Sequence, residues 1–114
     1  MSRMKRLAAI AVAGGVAASL VGFAGPAEAA NQGVFTADGV KIRTGPAPSR
    51  TAIDAGYRGQ AITVHCHTDG VSPGGTYNNV WFRITKHATN KTGYAHAGGP
   101  DERWFTGVAG VPRC

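Results

Sequence analysis

The chain has 114 residues, with 12 lysines and arginines against six acids, two cysteines and 17 glycines. That length holds one domain and excludes a multi-domain enzyme or a doubly wound sheet with a separate substrate domain. Charged residues make up 16% and apolar residues 43% of the chain, unlike a charged disordered tail, and a glycine content about twice the usual favours strands and turns over helices.

Residues 1–29 read as a secretory signal peptide. Arg3, Lys5 and Arg6 form a positive start, an uncharged apolar stretch runs from Leu7 to about Gly25, and Pro26 ends it. Ala27-Glu28-Ala29 places small residues where a signal peptidase reads them, so the cut is expected between Ala29 and Ala30. The competing reading is an uncleaved anchor, but the run is rich in Ala and Gly rather than Leu and Ile. No cysteine at the cut signals lipid attachment, and no Arg-Arg pair signals a twin-arginine route. Beyond residue 29 lie nine basic and five acidic residues, a net charge of about +4. The surplus suits retention near an anionic cell wall. It is scattered from Lys41 to Arg113 without a patch, so no nucleic-acid partner is expected. No stable membrane insertion is expected after cleavage.

Both cysteines, Cys66 and Cys114, lie in the exported part. An oxidising compartment and an even count imply pairing, and two cysteines allow one intramolecular pairing. Closing a loop of about 48 residues contributes roughly 4 kcal/mol by the loop-entropy relation. The rival reading is a catalytic thiol at Cys66 flanked by His65 and His67, but sequence neighbours on a strand point to opposite faces.

In chain order, residues 30–37 read as an extended lead-in, and the domain is placed at 38–114. Gly39–Arg43 alternates as a strand, Val40 and Ile42 against Lys41 and Arg43. Thr44–Ser49, with Gly45, Pro46 and Pro48, is a loop, Ala52-Ile53 a short strand, and Gly56–Gly59 a turn. Ala61–Thr68 is the clearest strand: Ile62, Val64 and Cys66 share one face, Thr63, His65 and His67 the other. Asp69–Asn79 is a long polar loop. Val80–Thr85 is a strand, Lys86–Lys91 a turn and Thr92–Ala95 a short strand. After a break at Ala97–Asp101, Trp104–Val108 reads as a last strand, and Val111–Cys114 ties the tail back. No apolar repeat at helical spacing follows residue 30. Short strands with frequent turns predict an all-β chain, and five to six antiparallel strands predict a small closed barrel.

Asp38-Gly39-Val40-Lys41-Ile42-Arg43-Thr44-Gly45-Pro46 resembles the opening of the bacterial SH3-like (SH3b) domain family, a V-x-I/V-R strand followed by small-G-P. Thr51-Ala52-Ile53 and Gly59-Gln60-Ala61-Ile62-Thr63-Val64 resemble its next strands, Trp81-Phe82-Arg83-Ile84 its W-aromatic-K/R-V/I strand, and Thr92-Gly93-Tyr94-Ala95 its T/K-G-Y/W-V strand. The order holds over residues 38–97. Two departures stand out: Ala97–Pro100 intervenes before Trp104-Phe105, and the Asp69–Asn79 loop is longer than the common form. Val40, Ile42, Ile62, Val64, Phe82 and Ile84 supply the inward set of such a barrel.

The resemblance implies a secreted, extracellular or wall-associated module without enzymatic activity, expected as a monomer, that binds cell-wall peptidoglycan or a short peptide. The alternative is a secreted effector or inhibitor that meets a protein partner through the Asp69–Asn79 loop. Alternation places Trp81 and Arg83 opposite Phe82 and Ile84, so Trp81 is either a platform for a peptide or the cap of a second small core. Tyr57, Tyr77 and Tyr94 extend such a platform, and Asn78 and Asn79 bond a peptide backbone. Tyr94 has a core reading too, and Trp104 reads as the anchor of the closing strand. Arg43 either packs its stem on the barrel with its fork on loop carbonyls or touches ligand. His65 and His67 have a spacing that a metal can use, with His87 or His96 as a third ligand, but histidines on the wet face of a strand are the simpler reading, and no metal or cofactor is expected. The five exported acids offer no carboxylate in an apolar setting for a glycosidase pair.

Overall fold

The computed structural model describes residues 30–74, 78–99 and 101–114. The signal-peptide segment and Tyr77 lie outside the described residues. Every regular element described is a strand: β1 (Asn31–Val34), β2 (Val40–Arg43), β3 (Ala52–Gly56), β4 (Ala61–Asp69), β5 (Val80–Lys86), β6 (Lys91–His96) and the two-residue β7 (Gly98–Gly99) and β8 (Glu102–Arg103). The first six form one antiparallel sheet in the order β1-β4-β5-β6-β2-β3, and β7 pairs with β8. The stretch expected as a lead-in enters the sheet as β1, paired with β4 from Asn31↔Val64 to Val34↔Ala61.

The period-two pattern of the strands decides what is buried. Val40 and Ile42 of β2, Ile62 and Val64 of β4, Phe82 and Ile84 of β5 and Ala95 of β6 meet in one cluster with Phe35, Ala97, Phe105 and Val111. Phe105 packs edge-on to both Phe35 and Phe82, with ring centroids 6.0 and 5.9 Å away.

The expected barrel is not closed: no ladder among the described residues joins β3 to β1. The two edges are covered by other means, which removes the need for closure. Along β1, Thr106 N–H donates to the Val34 carbonyl and Thr36 N–H to that of Trp104. Trp104 and Phe105 thus follow β1 through single backbone bonds and an isolated Phe35↔Phe105 bridge, rather than forming the last strand expected over Trp104–Val108. Along β3, Lys86 Nζ donates to the Ala55 carbonyl at 2.7 Å and lies 3.3 Å from Asp54 Oδ1, while the Thr89 hydroxyl donates to Asp54 Oδ2.

A bulge corrects the expected faces of β4. Val64 pairs with Ile84, but Cys66 pairs with Arg83 and His67 with Phe82. The extra residue, His65, reverses the alternation beyond it. His67 therefore turns toward the Phe82 ring, and Cys66 leaves the Ile62–Val64 face to bond Cys114. His67 N–H donates to the Pro112 carbonyl and Cys114 N–H to that of His67, so the tail occupies the edge of β4 beyond the end of β1. Among the described residues no helix is long and apolar enough to cross a membrane.

The disulfide closes a loop between residues 48 apart. Its removal, as the double Cys66→Ala, Cys114→Ala variant, lowers the unfolding free energy by about 4 kcal/mol in chemical denaturation. The Thr89 hydroxyl first, then the Ala55 N–H and Lys86, hold the Asp54 carboxyl below its ordinary range against the opposing effect of burial. Asp54→Asn leaves the buried Lys86 ammonium without its counter-charge and destabilises by about 2 kcal/mol or more. The depressed carboxyl contributes above the ordinary value of about 3.9, and that contribution fades as pH falls below it. The gap in stability between Asp54→Asn and the parent protein therefore narrows in acid.

Candidate functional site

A groove of about 390 Å³ opens beside β2, with Val40 of the core cluster and Ala37 at its margin in the lining. Trp81, His96 and Trp104 line its depth, Lys41 and Arg43 come from β2, and Pro48 and Pro73 stand on its loops. Asp38 and Glu102 add carboxylates. The register explains the convergence: Trp81 of β5 pairs with His96 of β6, and the same side of β2 carries Lys41 and Arg43.

His96 is the centre of this arrangement. It is 3% exposed, and it packs edge-on to Trp81 at 5.3 Å and to Trp104 at 5.6 Å between ring centroids. Gly98 N–H donates to His96 Nδ1 at 3.1 Å, so that nitrogen is an acceptor and the ring proton sits on Nε2. Nε2 in turn donates to the Asn78 carbonyl at 2.7 Å. A neutral ring with both nitrogens satisfied therefore ties the segment before β5 to β7. Gly98 turns the chain there with φ +101°, a conformation that glycine tolerates. Burial pushes the His96 pKa down, offset in part by the bond to Asn78. Burial first, and then Arg83, push His65 down as well.

The chain matches no protein family, no curated protein and no solved structure in the comparisons made. The site therefore rests on its own geometry.

Trp81 is 2% exposed, so it is not the open platform of the first reading. Its indole N–H donates to the Val71 carbonyl at 2.9 Å. The chain crosses the indole at Gly70, where a Cβ would collide with the Pro46 carbonyl and the Trp81 ring. Trp81 thus caps a second small core and meets the groove from below. Arg43 takes the structural role among its two expected ones, with one guanidinium nitrogen donating to the Arg50 carbonyl at 2.9 Å, and its side chain also lines the groove.

The other expected ligand contacts lie elsewhere. Tyr57 is 50% exposed at the end of β3 and does not line the groove. Tyr94 is half-buried on the outer face, in register between Arg43 and Arg83. Asn78 spends its side chain on the Gly98 carbonyl and the Val80 N–H, and Asn79 accepts from Gly70 N–H through its carbonyl. These are loop-shaping bonds, since a turn must satisfy its own backbone groups first. His65 bonds Thr85 and His67 bonds the Val111 carbonyl, and the bulge parts the two rings. No group of three or more metal-binding side chains occurs among the described residues, and Cys66 is held in the disulfide.

Sequence reasoning weighed His96 as a metal ligand and Trp104 as an anchor, and did not assemble them with Lys41, Asp38, Glu102 and the two prolines. No local spacing links these residues.

Because His96 and His65 titrate below the ordinary value of about 6.5, the unfolded chain takes up protons first on acidification. Their contribution is complete above that value and is lost as pH falls through the lowered pKa values. The thermal midpoint is expected to fall between about pH 7 and pH 5, and His96→Gln to flatten that fall, in a calorimetric series.

Proposed function

We propose that this protein is a secreted, non-enzymatic SH3-like binding module whose groove takes a short peptide of the bacterial cell wall. The observation that carries this reading is the groove itself, with two tryptophans and a histidine in its depth, prolines on its loops and charges of both signs. Aromatic faces and a few placed polar groups suit a peptide with a free amine and a free carboxylate. Lys41 and the free donors of the Arg43 fork match a carboxylate. Asp38 and Glu102 match an ammonium group. The SH3-like assignment draws on the ordered sequence motifs of residues 38–97. Export agrees with the Cys66–Cys114 bridge, which is compatible with an oxidising compartment.

The test is co-sedimentation of the oxidised protein with purified peptidoglycan sacculi, with and without teichoic acid, at two salt concentrations. Pelleting that survives high salt is expected, and the Lys41→Glu, Glu102→Lys double variant is expected to weaken it about tenfold, or roughly 1.4 kcal/mol. Pelleting at low salt only would reduce the interaction to charge attraction by a basic surface. Absence of pelleting would favour a protein partner instead. Val71, 59% exposed on the loop beside the groove, is the observation behind that second reading.

A further inference from the structure

His96 holds the groove together in a form that one proton can undo. Its Nδ1 lone pair accepts the Gly98 N–H, and its Nε2–H reaches the Asn78 carbonyl. The ring also separates Trp81 from Trp104. Three segments that line or back the groove therefore meet on one imidazole: the stretch before β5, β7, and the residues that follow β8.

A proton added to Nδ1 occupies the lone pair that Gly98 uses. Two N–H groups then point at each other, and the buried Gly98 amide loses its acceptor. The cation also arrives in a site that offers it little compensation. From β5 the ring meets Trp81, from the segment ahead of β5 the Asn78 carbonyl, from β7 the Gly98 amide, and from beyond β8 Trp104. The charged groups on the same groove are Asp38, Lys41, Arg43 and Glu102. None of the carboxylates forms an ion pair with His96 among the described residues. β7 and β8 pair over two residues each. That wall is tied further by the Asn78 side-chain amide on the Gly98 carbonyl, the Thr36 hydroxyl on the Arg103 carbonyl, Trp104 N–H on the Ala97 carbonyl and Thr36 N–H on the Trp104 carbonyl. The His96 bond is a tie in it that a proton can break.

We propose that His96 is a proton-operated latch on the groove: the neutral ring holds β7 and Trp104 against Trp81, and protonation at Nδ1 loosens that hold, so ligand is held at neutral pH and released in mild acid. The latch deepens the reading of this groove as a ligand site and rests on it for the ligand-release step alone. The direction of the His96 pKa agrees with it.

The chain has two tryptophans, and both lie against His96. An imidazolium quenches a neighbouring indole, so tryptophan emission of the oxidised protein reports the latch without any ligand. A reversible change in emission is expected between about pH 7.5 and pH 4.5, with its midpoint below about 6.5 and an unchanged far-ultraviolet circular dichroism spectrum. His96→Gln keeps a donor for Asn78 and takes up no proton, so its emission is expected to stay flat. If that variant fails to fold, nitrogen-15 shifts of the His96 ring in the unaltered protein serve instead. They are expected to show the Nε2–H tautomer giving way to imidazolium at the same midpoint as the emission change. Purified sacculi are the ligand probe: the bound fraction is expected to fall about tenfold from pH 7.5 to pH 5 in the parent protein and to stay level in His96→Gln.

Flat emission in the parent protein, the same transition in His96→Gln, or undiminished pelleting at pH 5 would each overturn the latch. An emission transition at the expected midpoint with no pelleting at any pH would support the latch and sink the peptidoglycan reading.

Discussion

The fold depends on where Phe105 goes. Its ring is fully buried between Phe35 and Phe82, and that anchor draws the C-terminal segment along the open edge of β1. In extended chain neighbouring side chains point apart. With Phe105 turned into the core, Trp104 lies toward the groove, where it meets His96. Core packing and groove geometry are thus two consequences of a single docking event. The tail then carries on to Val111 in the core and Cys114 in the disulfide.

A domain of this size buries a small core and needs help at its margins. Help is spread to both sides of the sheet. On one, the disulfide and two backbone bonds fix the tail to β4. On the other, Lys86, Asp54 and Thr89 tie the β5–β6 turn to β3. Lys86 lies on the core side of β5 and is nearly buried, tolerable because its ammonium has both a carboxylate and a carbonyl to meet. The tail also occupies the edge of β4 beyond the end of β1.

The groove inherits its shape from the face of the sheet on which Trp81 caps the second small core. That face is held by shorter segments: the Gly70–Pro73 crossing, the β7–β8 pair and the Gly45–Arg50 loop pinned by Arg43. Many of their bonds run from side chain to backbone, and His96 closes two of them at once. A surface made this way rests on fewer ladder bonds than the sheet beneath it.

Much of the framework could be read from the residues themselves. The alternation of Val40, Ile42, Ile62, Val64, Phe82 and Ile84 placed all six in the core, because period-two patterning is a local property of strands. The Cys66–Cys114 pairing followed from having two cysteines, and the Arg43 fork on a backbone carbonyl from its long stem and planar donors. Tertiary structure decided the rest. The bulge at His65 leaves no mark in the sequence, because an extra residue is defined only against a partner strand. For Trp81 alternation left platform and cap both open, because it says which face a side chain takes and not what later crosses that face. Asn78 and Tyr57 looked available for the converse reason, since their neighbours in space were unknown. The groove joins residues from Ala37 to Trp104, and only folding measures the distance between them.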